Sequence, residues 1–300
     1  MGILKLLPFL KEQGLLKQFN RQWPLSCKAA IDVPIFAYKF IYTERTYEAL
    51  EQRFLSFGHD LRAQGCEPIF VFDGSKLKLK DAERLRRNAA RKRSQELCAI
   101  KRSEAIEALQ NTMCIDIVSE VQQQGSTVIV DQYFEGLMVP TAADYEKLFN
   151  CLQVQGFEVA RAKYEAEALC AYLVISEKAW CAITEDTDAI AFGCPRTIFK
   201  FATEEPLIAD LQEILCGLKF TRAQFIDLCC MFGTDFCENV YKIGPKNAHM
   251  LMRTHGSWPL IYAAMKATWH PQTKQSADEF QTTYNEAFQC FETTCYESIL

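Results

Sequence analysis

Short apolar runs that end on an acid recur along the chain. Ala29-Ala30-Ile31-Asp32, Ile69-Phe70-Val71-Phe72-Asp73 and Trp180-Cys181-Ala182-Ile183-Thr184-Glu185-Asp186 each read as a strand buried on both faces, the mark of a parallel sheet. Segments of helical composition lie between them. The pattern predicts strands over 28–32, 68–73, 157–160, 180–183 and 197–201. Helices are expected from the end of the first strand to residue 62, over 81–110, 142–155 and 165–175, and from residue 208 onward. The stretch 112–140 is mixed, with an apolar run at 127–130, and has no assigned form. The fold class that follows is α/β, a mostly parallel central sheet flanked by helices, with an insertion after the second strand and a helical C-terminal part.

Ligands of such sheets bind outside the carboxyl ends of the strands. Asp32, Asp73, Glu165, Glu167, Asp186, Asp188 and Asp235 all fall at or beside ends of apolar runs. Carboxylates brought together repel unless cations neutralise them, and hard divalent cations prefer oxygen ligands, so Mg2+ is the expected occupant. Glu165 and Glu167 are two apart, a spacing that sets side chains about 200° apart on a regular helix. Both reach one site only if the first stands where a loop enters the helix, and Asp186 and Asp188 carry the same requirement. Any one acid is equally well explained as a strand end or helix cap. The seven together read as a metal-dependent phosphodiester-cutting site.

The 300 residues suffice for one large domain or two small ones. With 49% hydrophobic and 24% charged residues the composition is that of an ordinary soluble protein. A membrane span is not expected, because no run reaches about 18 apolar residues. The opening Met1-Gly2-Ile3-Leu4-Lys5-Leu6 lacks a signal peptide's apolar core, and Leu6 stands where a myristoylation signal has Ser or Thr. Fourteen cysteines scattered among apolar residues read as buried free thiols in a reducing intracellular compartment, and with four histidines they form no zinc-ligand spacing. The net charge of -5 argues against a generally basic nucleic-acid protein. Yet from Lys76 to Arg102 eleven Lys and Arg face only Asp81, Glu83 and Glu96. A solvated helix face explains such a run in isolation. Its place directly after Asp73 suits phosphate binding beside a metal site.

Met1-Gly2-Ile3, Val71-Phe72-Asp73-Gly74, Tyr164-Glu165-Ala166-Glu167-Ala168, Ile183-Thr184-Glu185-Asp186-Thr187-Asp188, Phe192-Gly193 and Phe232-Gly233-Thr234-Asp235-Phe236-Cys237 follow in this order. Through these blocks the chain, from residue 1 to about 259, resembles the flap endonuclease family of structure-specific 5′ nucleases. The resemblance implies a nuclease core over 1–235 with an inserted arch at about 74–140, under or through which a 5′ single strand passes. It also implies a helical region over 221–300 whose helix-turn-helix, at about 236–258, contacts duplex DNA. The seven acids would hold two Mg2+ ions, with Mn2+ able to substitute, and a monomeric enzyme would cut branched or flapped DNA at 5′-flap junctions. The alternative is a 5′ to 3′ exonuclease of the same superfamily. An inactive nucleic-acid-binding scaffold is disfavoured because all seven acids are retained. A magnesium phosphatase would need Asp-x-Asp, whereas Val33 and Pro34 follow Asp32.

By the same resemblance Lys80 and Arg87, two helical turns apart, are the catalytic cations facing the scissile phosphate. Gly2, Tyr38, Arg84, Gly244 and Lys246 would meet DNA. Tyr38 would stack on a base, or else belong to the helix core beside Phe36 and Phe40; Arg84 would follow the backbone, or else be surface charge. Gly244-Pro245-Lys246 is similar to the family's phosphate-contacting turn, which also holds K+. Lys242 stands where relatives carry glycine, which counts against the K+ site, and Lys5 does so in the opening segment that in the family runs close to the active site. The chain carries no recognisable sliding-clamp peptide, and the expected location is the nucleus or a viral DNA replication site.

Overall fold

The computed structural model describes residues 2–44, 46–112, 140–240, 242–266 and 276–293. Most of the predicted insertion, including the apolar run at 127–130, lies outside the described residues. The chain opens with α1 (Leu6–Glu12), β1 (Lys17–Gln18) and β2 (Cys27–Asp32), then α2 (Val33–Glu44), α3 (Tyr47–Ala63) and β3 (Cys66–Phe72). A 3-10 turn (Lys78–Lys80) leads into the long α4 (Asp81–Thr112). After the insertion come α5 (Ala142–Val154), β4 (Glu158–Arg161), α6 (Ala166–Ile175), β5 (Cys181–Ile183), α7 (Asp188–Ala191), β6 (Arg196–Phe199) and β7 (Leu207–Asp210). The rest is helical: α8 (Leu211–Leu218), α9 (Arg222–Phe232), α10 (Pro245–His255), α11 (Trp258–Met265) and α12 (Ala277–Thr293).

Among the described residues one sheet runs in the order β1-β7-β6-β5-β2-β3-β4. The five strands from β6 to β4 are parallel, and β7 and β1 add an antiparallel edge. Alternate residues of the central strands feed two separate cores. Ala30, Ile69, Val71 and Ala182 face α1, α6 and α9, while Ile31, Phe70, Phe72 and Ile183 face α2, α3 and α5. Burial of both faces explains why these strands read as unbroken apolar runs.

Three expectations need correction. The helix predicted to run on to residue 62 is two helices, because the Thr46 hydroxyl accepts the Ala49 N–H at 3.1 Å and caps a fresh start. The region from residue 208 is not helical throughout. Leu207–Asp210 pairs with β6 before the Asp210 side chain caps α8. Lys80 does not sit in the regular helix but ends the 3-10 turn before it.

Candidate active site

The carboxyl ends of β2, β3 and β5 open on a crevice of about 600 Å³ lined by Asp32, Asp73, Glu165, Glu167, Asp186 and Asp235. Asp32 closes β2, and its Oδ2 accepts the Thr184 hydroxyl proton at 2.6 Å across the sheet. Asp73 follows β3, and its Oδ1 accepts the Ala166 N–H at 2.9 Å, which ties this strand end to the start of α6. The next residue must be glycine: a Cβ on Gly74 would stand 1.9 Å from the Ala162 carbonyl oxygen. Glu165 holds extended geometry (φ -101°, ψ 132°) at the N-cap of α6, and Glu167 lies in its first turn. Asp186 lies in the loop before α7 and Asp188 begins that helix. Both acid pairs thus meet the geometric requirement their spacing imposes.

Lys80 is buried among these acids. Its Nζ donates to Glu165 Oε2 at 2.6 Å and Glu167 Oε1 at 2.9 Å, and lies 3.7 Å from Asp235 Oδ2. Arg87 donates to the other Asp235 oxygen at 2.6 Å. Leaving the regular helix therefore does not stop Lys80 from meeting Arg87 at one carboxylate. Burial, then the neighbouring Glu167, pushes Glu165 up to about 7 and Asp73 and Asp186 up to about 6. Asp32 and Asp188 are likewise raised, by burial first and then by neighbouring acids. Glu167 goes the other way: burial would raise it, but the Lys80 ammonium holds it below the ordinary value.

Glu167, Asp186 and Asp188 each offer an oxygen within 4.8 Å of the others. Both Asp188 oxygens are buried without a hydrogen-bond partner among the described residues. A buried carboxylate in that state is costly, and an all-oxygen donor set suits a hard divalent cation. The residues present therefore fit Mg2+.

Tyr38 and Arg84 also line the crevice. Tyr38 is 38% exposed, so the helix core does not absorb it. Arg84 pairs with Asp81 and donates to the Leu77 carbonyl at 3.0 Å. Gly2 lies against the loop that carries Asp186, where a Cβ would stand 2.0 Å from Asp186 Oδ1. Gly244 and Lys246 lie elsewhere, lining a cavity of about 320 Å³ between α1 and the start of α10, with Lys246 Nζ 3.5 Å from Glu12. Lys5 and Lys242 have φ of 58° and 61°, the left-handed conformation that glycine adopts readily. Lysine thus takes the glycine-like backbone at both positions.

Two hydroxyls escaped the sequence reading. Thr184 links Asp32 to the Asp186 N–H, which it accepts at 2.9 Å, and Thr187 accepts the Ile3 N–H at 2.9 Å. The available signal was threonine interleaved with acids in Thr184-Glu185-Asp186-Thr187-Asp188.

Comparison with known proteins fits this geometry. The XPG N-terminal domain matches residues 1–94 and the XPG I-region matches residues 156–235. Flap endonuclease 1 of Nematostella vectensis is 30% identical over 286 residues, covering 90% of this chain and 70% of that protein. Flap endonuclease 1 of Ajellomyces capsulatus (strain NAm1 / WU24) is 30% identical over 280 residues, covering 88% and 65%. The chain thus spans about two thirds of the length of these relatives. The catalytic core of Rad2 in complex with DNA substrate superposes with a TM-score of 0.66 at 18% identity, over 100% of this chain and 88% of that one. The Holliday junction-resolving enzyme GEN1, in complex with product DNA and Mg2+, gives 0.59 at 16% identity over 96% and 64%. At these identities the superpositions speak for the fold.

Proposed function

The chain belongs to the flap endonuclease family with its XPG regions, and on that premise we propose that it is a Mg2+-dependent, structure-specific 5′ nuclease that hydrolyses branched DNA at 5′-flap junctions. The observation that carries the reading is the buried carboxylate cluster at the strand ends, with Asp188 left unpartnered beside Glu167 and Asp186. Asp32, Asp73, Glu165, Glu167, Asp186, Asp188 and Asp235 would hold the two ions, for which Mn2+ can substitute. When bound, such ions supply Lewis acidity at the scissile phosphate and favour ionised water.

The remaining chemistry falls to the chain itself. Lys80, buried where electrostatic effects are strong, and the half-buried Arg87 offset negative charge as it develops on the phosphate. Tyr38, on the crevice wall, offers its ring to a base next to the cut. Arg84 stands at the same wall for the DNA backbone. Gly244 and Lys246, at the free N-terminus of α10, take duplex phosphates. Gly2 keeps the opening segment thin enough to lie beside Asp186. In this reading residues 1–235 form the nuclease core, about 74–140 the inserted arch, and 221–300 the region carrying the duplex contact near 236–258. Among the described residues no helix is long and apolar enough to cross a membrane. Kinship with flap endonucleases of eukaryotes supports a role at nuclear DNA.

A 5′-flap DNA, a nicked duplex, a blunt duplex and a Holliday junction, each with Mg2+ or chelator, test the proposal. A Mg2+-dependent cut at the flap base is expected. Stepwise release of nucleotides from nicked or blunt ends would replace it with an exonuclease, and DNA binding without cleavage would overturn it.

A further inference from the structure

The opening segment is stitched to the acid-bearing loops by bonds that no assigned role accounts for. Thr187 stands between Asp186 and Asp188, buried, and its Oγ1 accepts the Ile3 N–H at 2.9 Å. The same hydroxyl donates to the Ile3 carbonyl at 3.4 Å. One residue further on, the Leu4 N–H donates to the Gly233 carbonyl at 2.9 Å, two positions before Asp235. Residues 2–4 therefore span from the Asp186–Asp188 loop to the Asp235 loop. Gly2, at φ +83°, brings bare backbone against Asp186 Oδ1 and against both the hydroxyl and the N–H of Thr187.

We infer that Thr187 is a positioning residue: its paired hydrogen bonds to Ile3 hold the opening segment as a wall that fixes Asp186, Asp188 and Asp235 at the separation the divalent ions need. This rests on the proposed Mg2+-dependent nuclease. The Thr187 hydroxyl is engaged by the backbone N–H and carbonyl of Ile3, and Thr187 is not among the residues that line the crevice. It acts by denying its two neighbouring acids the freedom to spread. Those acids repel one another, and while Asp186 Oδ1 accepts the Asp188 N–H at 3.0 Å, the Asp188 carboxylate has no hydrogen-bond partner among the described residues to fix it. Residues that orient the ligands of a metal, without touching it, typically carry factors of 10–100 in metal affinity or activity.

Thr187→Val keeps the volume and removes both bonds, while Thr187→Ser keeps the hydroxyl. Ca2+ and Mg2+ binding to each full-length variant, followed by calorimetry without DNA, reads the wall apart from turnover. Flap cleavage at saturating and limiting DNA is measured alongside. Thr187→Val should raise the half-saturating Mg2+ concentration about 10-fold or more and lower kcat with KM for DNA changed less than about threefold. Thr187→Ser should restore both to within about twofold. Unchanged divalent binding in Thr187→Val, or Thr187→Ser as impaired as Thr187→Val, would overturn the inference. Failure of the parent protein to cut any flap while Thr187→Val still loses divalent binding would sink the nuclease reading and leave the positioning role standing.

Discussion

Lys80→Met removes one charge from the centre of the acid cluster while keeping an apolar stem of similar length. In the parent protein the Lys80 ammonium lies within 4 Å of Glu165, Glu167 and Asp235, and only 7% of the residue is exposed. Removing one partner of a buried ion pair costs about 3–5 kcal/mol, because the opposite charge is left uncompensated. Proton uptake by Glu165, already near 7, and by Asp73 and Asp186, near 6, offsets part of that at neutral pH. The lower end, about 3 kcal/mol, is therefore the expected loss. At roughly 2–4 °C per kcal/mol for a chain of this class, melting in chelator should fall on the order of 10 °C. Scanning calorimetry in chelator measures it directly, and a Mg2+ titration completes the test. Divalent ions should recover more stability in Lys80→Met than in the parent, because there they meet acids that no resident cation neutralises. Single-turnover flap cleavage should fall by about 10²-fold or more. A Lys80→Met protein that melts within about 2 °C of the parent in chelator would refute the view that this ammonium holds the cluster together.

Asp73→Ala and Asp186→Ala should each reduce flap cleavage to background while leaving DNA binding by gel shift largely intact; normal turnover in either would overturn the site assignment. Without metal, the folded state binds protons at Glu165, Asp73 and Asp186 that the unfolded chain, with carboxyls near 4, does not bind between about pH 4 and 7. Stability then falls as pH rises through that window. Melting temperature in chelator should therefore drop from pH 6 to pH 7.5, and Mg2+ should abolish the drop; a flat profile in chelator would contradict the shifts. Gly2→Ala drives a methyl group onto Asp186 Oδ1 from a backbone conformation that disfavours side chains, so Mg2+ affinity and cleavage should both fall, as calorimetry and flap assays would show. Lys246→Gln should weaken duplex binding evenly across sequences and reduce the slope of log K against log salt by about 1, whereas an unchanged slope would remove Lys246 from the phosphate contacts.

The central strands were legible because each is buried on two faces and reads as a continuous apolar run. What escaped is what lacks that signal. β1 is two exposed polar residues, Lys17 and Gln18, that become a strand only because β7 offers an open edge. Leu207–Asp210 blends into the apolar start of α8, so its pairing with β6 has no local mark. The acids were legible because strand ends are where α/β sheets gather function. The inward turn of Lys80 was not, since its spacing from Arg87 fits a regular helix as well as the 3-10 turn it occupies. Thr184 and Thr187 were hidden for another reason: their partners, Asp32 and Ile3, are more than 150 positions away, and local pattern does not record such pairings.

The order of strands carries a consequence for the life of the chain before it is finished. Asp32 and Asp73 come from adjacent β2 and β3, but Asp186 follows β5, which slots in beside β2, and Asp235 waits beyond α9. A ribosome releasing the protein from its first residue exposes the earliest acids long before the last can join them. No fragment ending ahead of residue 235 contains all seven of the acids proposed to hold the ions. On the proposed function, the chain could cut DNA only once its last acid has been made.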